Sequence, residues 1–346
     1  MKKVLALLMA TVMVMAMTTG CNAKNTSTES QAAAEKKYVI GVSMDLDDSA
    51  YWQVMKDGLE AKAKEYGNVE LKYLVAQSDS NTQNQQIESF ISQGVNAIIC
   101  TAYDSKAILS AVTAANEANI PFIWCDREII STDTAKVAYG AGTDNYALTK
   151  GGVDWLVKYA RDNGIKLKAV NFQGALTDEG AVNRSKAYED AAAENPDVME
   201  IVSTIPTNWD FDMPYGALKS ALAANPEINC ILAGSDGFWP PCANALKEAG
   251  KYAKTGEEGH VYFIGVDGED YALRALEQHY TDADMCQPIY DAAQDCVKAA
   301  VTLADGGKMD KESNHMAGDV ITQENFEDTA WKAYGYADRL KYDYDK

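Results

Sequence analysis

From residue 38 onward, short apolar runs alternate with longer amphipathic stretches. The runs fall at 38–43, 71–75, 97–100, 121–125, 167–172, 198–205, 229–233 and 261–266, and the amphipathic stretches at 51–66, 84–94, 105–119, 145–161, 181–194, 215–224, 241–250 and 272–279. A run apolar at every position reads as a strand buried on both faces, and the stretches between have the period of a helix with one buried face. Parallel neighbours need a long crossover, so strand and helix alternating at this spacing predict parallel sheets covered by helices. Four runs precede residue 142 and four follow it, which predicts two similar α/β lobes joined end to end, and 346 residues suffice for two cores. A helix at 292–303, a short run at 319–322 and an aromatic-rich tail remain. These are too little for a third lobe and are expected to complete the first and second sheets, so that the chain crosses between lobes more than once.

Residues 1–20 are a targeting segment. Lys2 and Lys3 give a basic start, and the apolar run 4–17 is shorter than the about 20 residues of a membrane-spanning helix, as in the apolar region of a secretory signal. Thr18, Thr19, Gly20 and Cys21 resemble the bacterial lipoprotein processing site, in which small residues precede a cysteine that receives lipid; Thr18 stands where that pattern usually has Leu. Residues 21–36 then read as a polar tether lipidated at Cys21.

Charge and motifs exclude much of the remaining chemistry. With 31 basic against 51 acidic side chains, the net charge of −20 opposes binding to nucleic acid or anionic lipid. Cys100, Cys125, Cys230, Cys242, Cys286 and Cys296 show no C-x-x-C spacing and no neighbouring His, so buried inert thiols are expected, although export permits one pair to oxidise. Gly140 and Gly142 lack the third glycine of a dinucleotide loop, no phosphate-binding G-x-x-x-x-G-K-[ST] loop occurs, and Ala233 stands where a nucleophile elbow around Ser235 needs Gly. His260, His279 and His315 are expected on the surface or in loops. Asp45, Asp47 and Asp48 do not fit a calcium loop, because Ser49 and Ala50 follow. No catalytic residue, cofactor or metal is expected.

Open parallel sheets gather ligands beyond the carboxyl ends of their strands. The residues there are Asp45, Tyr51 and Trp52 after the first run, Asp126 and Arg127 after the fourth, Ser235 and Asp236 after the seventh, and Asp267 with Gly268 after the eighth. Each Asp alone is equally well read as a cap on the next helix. Together they suit a neutral polyhydroxylated ligand: carboxylates accept from hydroxyls, guanidinium groups donate, and aromatic faces cover the C–H side of a ring.

These residues carry a resemblance. The stretch 40–43, Tyr51 and Trp52 leading into Lys56, Asp57 and Gly58, the stretch 120–127 ending in Asp126 and Arg127, Thr143 to Asn145, Arg184 four residues before Tyr188, Trp209 with Asp210, Ser235 with Asp236, the stretch 263–268, and Gln287 occur in the order found in ribose-binding-type periplasmic sugar-binding proteins. From about residue 38 to 322 the chain resembles that family, the extracytoplasmic receptors of ABC importers. The resemblance implies the type I periplasmic binding fold: two doubly wound parallel-sheet lobes joined by a multi-strand hinge, with lobe one at 37–142 plus 288–318 and lobe two at 143–287 plus 319–346. It implies a monomer that closes over one monosaccharide or small polyol and passes it to a membrane permease. Tyr51 and Trp52 match the aromatic pair of lobe one and Trp209 an aromatic of lobe two, while Asp126, Arg127, Arg184, Asp267 and Gln287 match the polar ligands. Asp45, Ser235 and Asp236 complete the candidate set; Ser235 replaces the usual Asn, and the segment 43–51 is two residues longer than the ribose pattern. The same clamp serves receptors that present a ligand to a sensor or chemotaxis protein, and relatives with furanone-type or nucleoside ligands are the alternatives. A sugar-responsive repressor is excluded, because a signal and tether stand where the DNA-binding module would be.

Overall fold

The computed structural model describes residues 36–336; the signal segment, Cys21 and the tether as far as residue 35 lie outside them. In chain order the first part comprises β1 (Tyr38–Met44), α1 (Ala50–Tyr66), β2 (Val69–Val75), α2 (Ser80–Ser92), β3 (Ala97–Cys100), α3 (Leu109–Glu117), β4 (Phe122–Cys125) and β5 (Tyr139–Thr143). There follow α4 (Asn145–Asp162), β6 (Leu167–Gln173), α5 (Glu179–Glu194), β7 (Met199–Pro206), α6 (Met213–Ala224), β8 (Cys230–Ala233), α7 (Trp239–Glu248), β9 (Tyr262–Asp267), α8 (Asp270–Glu277) and β10 (Ala283–Cys286). The chain ends in α9 (Ile289–Ala304), β11 (Ser313–Met316), β12 (Asp319–Thr322) and the short α10 (Phe326–Thr329).

Two six-stranded sheets result, in the orders β11-β5-β4-β3-β1-β2 and β12-β10-β9-β8-β6-β7. All neighbours run parallel except β12, which pairs antiparallel with β10. Both sheets are doubly wound, with the order reversing beside β1 and beside β6, where the crossover helices diverge to opposite faces and leave a crevice.

The strands alternate between two cores. In β3 and β4, Ala97, Ile99, Ile123 and Cys125 join one cluster with α1 and α9, and Ile98, Cys100, Phe122 and Trp124 join another with α2 and α3. In β8 and β9, Cys230, Leu232 and Ile264 pack on one side and Ile231, Ala233 and Phe263 on the other. This double burial is why the sequence shows unbroken apolar runs instead of alternation.

Each expected run is a strand, and the late helix and strand fall on the two sheets: α9 packs against α1 and β5, and β12 lies beside β10. The sequence pattern missed three strands. β5 contains Gly140 and Gly142, β10 is four residues long with an acid inside it, and β11, Ser313–Met316, is a polar edge strand. Gly140 has a steric cause, since a Cβ there would lie 1.8 Å from the Trp124 ring. His260 lies in the loop before β9, one of the two expected settings, but it is buried, with Nδ1 2.8 Å from the Ala253 carbonyl and Nε2 3.1 Å from the Asp282 carboxylate. The six cysteines beyond Cys21 are buried free thiols, and burial raises the pKa of Cys100, Cys230, Cys242 and Cys286.

Candidate ligand-binding site

The carboxyl ends of the strands deliver the candidate side chains. Asp45 follows β1, and Tyr51 and Trp52 lie in the first turn of α1. Asp126 follows β4 with φ 71°, Trp209 lies beyond β7 with φ 61°, and Asp267 ends β9 with φ 137°, left-handed values that non-glycine residues adopt at a cost. Arg184 projects from α5, and Gln287 follows β10.

On the first lobe, the Tyr51 hydroxyl donates to Asp126 Oδ1 at 2.6 Å. Arg127 donates from Nη1 to Asp45 Oδ2 at 2.7 Å and to the Ala102 carbonyl at 3.1 Å, with its guanidinium 5.5 Å from the Trp52 ring centre. Asp45 also accepts from the Ser78 amide and hydroxyl, so the buried acid of the longer loop holds Arg127 in place.

On the second lobe, Asp267 is a hub. Its Oδ1 accepts from Gln287 Nε2 at 2.6 Å and from Arg184 Nη1 at 3.3 Å, and its Oδ2 from the Ser235 hydroxyl at 2.6 Å. Arg184 is further fixed by Asn145 Oδ1 at 2.7 Å and the Gly234 carbonyl at 2.7 Å. Its guanidinium lies 6.0 Å from the Trp209 ring centre, and that ring lies over Gly174, where a Cβ would be 2.3 Å from it.

The two sets meet. Arg127 Nε lies 3.1 Å from Asp178 Oδ2, the acid that caps α5 by accepting from the Gly180 and Ala181 amides, and the Ser105 amide donates to the Thr177 carbonyl at 3.5 Å. Burial pushes the Asp126 pKa up to about 6 against the pull of Arg127 and the Tyr51 hydroxyl. Burial also raises Asp267, outweighing Arg184, Ser235 and Gln287. Tyr51 is raised well above the usual phenol value by burial and then by the charges of Asp126 and Asp267, so it remains a neutral donor.

Residues 40–308 match the sequence profile of the periplasmic binding protein domain. The chain belongs to the periplasmic binding protein family. It is 27% identical over 289 residues to a putative rhizopine-binding protein of Rhizobium meliloti, covering 83% of this chain and 90% of that one. It is 25% identical over 284 residues to a ribose import binding protein of Bacillus subtilis, covering 82% and 87%. Among solved structures, an ABC transporter solute-binding protein of Bacillus halodurans with bound myo-inositol superposes with a TM-score of 0.76 at 25% identity, covering 86% of this chain and 98% of that one. The two lobes are those of a type I periplasmic binding protein.

Within this periplasmic binding protein, these contacts join Tyr51 to Asp126 and join Arg184, Ser235 and Gln287 to Asp267, with Arg127 beside Trp52 and Arg184 beside Trp209. Asp45 and Asp236 take other roles. Asp45 anchors Arg127, and Asp236 is fully buried with Oδ2 accepting from the Gly268 and Glu269 amides at 2.9 and 2.7 Å. The charge of the buried Asp284 also acts on Asp236. Asp236 shapes the loop after Asp267 from below. Four neighbouring residues were outside the candidate set: Asn145, noted only within the stretch Thr143 to Asn145, and Asp178, which orient the two arginines, Asp284, and Tyr334 of the tail, whose ring lies 5.9 Å from that of Tyr51. Asp178 had a signal, as an acid one residue before a helix, but that signal reads only as a cap.

Proposed function

We propose that the chain is an extracytoplasmic lipoprotein, anchored through Cys21, that captures a monosaccharide or small polyol between its lobes and delivers it to the permease of an ABC importer. One observation carries this reading: two arginines, one from each lobe, are each held by carboxylates and lie beside an aromatic ring. Carboxylates that pair the arginines also leave acceptors for hydroxyl groups, so the cleft favours a neutral ligand over a phosphorylated one. The family and the ligands named for its relatives, ribose and myo-inositol among them, support the same class. Asp126, Tyr51, Arg127, Arg184, Trp209, Asp267, Gln287 and Ser235 are the proposed contacts. Ser235 offers a single hydroxyl, already donated to Asp267, where an Asn would offer an amide.

The protein acts by binding, as a monomer, without cofactor, metal or nucleic acid, and Asp126 and Asp267 are binding groups and not an acid and base. Deleting its gene is expected to abolish uptake of the bound sugar; intact uptake with loss of a sugar response would assign it to sensing instead. Cys21→Ser is expected to release the protein from the membrane fraction, and retention there would remove the anchor.

A further inference from the structure

The tail beyond β12 packs against both lobes. Ala330 and Ala333 pack with Leu273, Cys286, Ile321 and Phe326 of the second lobe, whereas Tyr334 joins the first-lobe cluster that contains Met44 and Trp52. Its path is fixed by the loop after Asp267: the Gly335 amide donates to the Gly268 carbonyl at 2.9 Å, and a Cβ at residue 335 would lie 2.2 Å from the Asp270 nitrogen. Tyr334 and Gln287 line one cavity of about 620 Å³, bounded on the first lobe by Val54 and Asp57 of α1. Two polar atoms of these residues, the Tyr334 hydroxyl and Gln287 Oε1, are buried with no hydrogen-bond partner among the described residues. Tyr334 is 93% buried, so water does not satisfy its hydroxyl, and such groups are costly enough to be rare in folded proteins. Burial, and then the charges of Glu269, Asp236 and Asp267, keep it a neutral phenol able to donate and accept.

We propose that Tyr334 is a ligand-contacting residue: its ring extends the aromatic wall begun by Tyr51, and its hydroxyl bonds a hydroxyl of the bound sugar or polyol. The C-terminal tail thereby helps set which ligands the cleft accepts. This rests on the sugar-binding reading above.

The test is calorimetric titration of the mature protein and its Tyr334→Phe and Arg184→Ala variants with D-ribose, D-allose, L-arabinose, xylitol and myo-inositol, alongside the melting temperature of each variant without ligand. For the sugar that the parent binds, Tyr334→Phe is expected to weaken affinity by about 3- to 10-fold. Its ligand-free melting temperature is expected to stay equal or rise, because the substitution removes an unpaired buried hydroxyl. Affinity within about twofold of the parent, with Arg184→Ala impaired, overturns the role of the tail and leaves the sugar-binding reading intact. A fall in the ligand-free melting temperature that accompanies the affinity loss overturns it as well, since the hydroxyl would then be structural. Failure of the parent to bind any of the five overturns the sugar-binding reading and this proposal with it.

Discussion

Arg127 and Arg184 are each buried, and the groups around them exist largely to make that burial tolerable. An uncompensated guanidinium in such a place is far more costly than the pair is stabilising. Asp45→Ala leaves Arg127 with Asp178 as its remaining acid partner and is expected to destabilise the protein by about 3 kcal/mol in chemical denaturation. Arg184→Ala removes a donor from the cleft and strips Asp267 and Asn145 of a partner; ligand affinity is expected to fall by more than about tenfold by calorimetry, and near-parental affinity would take Arg184 out of the site. At this scale the sequence was informative where a residue directly follows a strand. Asp126, Arg127 and Asp267 became candidates from position together with resemblance, and Arg184, Trp209 and Gln287 from resemblance alone. The partners that orient them could not. Asn145 and Arg184 are 39 residues apart, and Arg127 and Asp178 lie on different lobes, so no local pattern joins them.

At the scale of elements, strands were legible in proportion to their burial on both faces. β3, β4 and β8 are wholly buried apolar runs and stand out, whereas β5 carries glycines demanded by Trp124, and β11 at the sheet edge has no apolar signature. β10 hides for a chemical reason, because Asp284 interrupts it. Asp284 and Asp236 are both buried, and burial holds Asp284 up to about 8 and Asp236 well above the usual carboxylate range, so the folded pair retains a proton at neutral pH. The unfolded chain releases that proton near pH 4. The folded state therefore binds more protons across the interval, and this contribution to stability is complete below about pH 4 and is lost as pH rises toward about 8. His260 has the same sign: burial lowers its pKa, but Asp282 outweighs burial and the net shift is upward, so its contribution is complete below the ordinary histidine pKa and is lost as pH rises above it. The melting temperature of the ligand-free protein is expected to fall between about pH 5 and pH 8. Asp284→Asn should flatten that slope; an unchanged slope would show that the pair does not hold the extra proton.

For the whole molecule, the lobes meet through Arg127 on Asp178 and Ser105 on Thr177, and through the tail, whose Tyr334 lies beside Tyr51. Two of these contacts are polar and between lobes, which is the kind of interface that permits hinge motion. Asp178→Ala is expected to shift the ligand-free protein toward an open form, seen as a larger radius of gyration by X-ray scattering, with saturating ligand restoring the compact value; an unchanged radius would mean that this pair does not hold the lobes. The two-lobed architecture itself was legible from the repeated strand and helix pattern, while the contacts that close it were not, because they depend on how the lobes meet. The central claim is that the closed cleft binds one neutral polyhydroxylated ligand. Calorimetric titration of the mature protein with pentoses, hexoses, cyclitols and polyols tests it most directly: one compound is expected to bind saturably at one site per chain and to be recovered unchanged, and absence of saturable binding across the panel, or conversion of the compound to product, would contradict it.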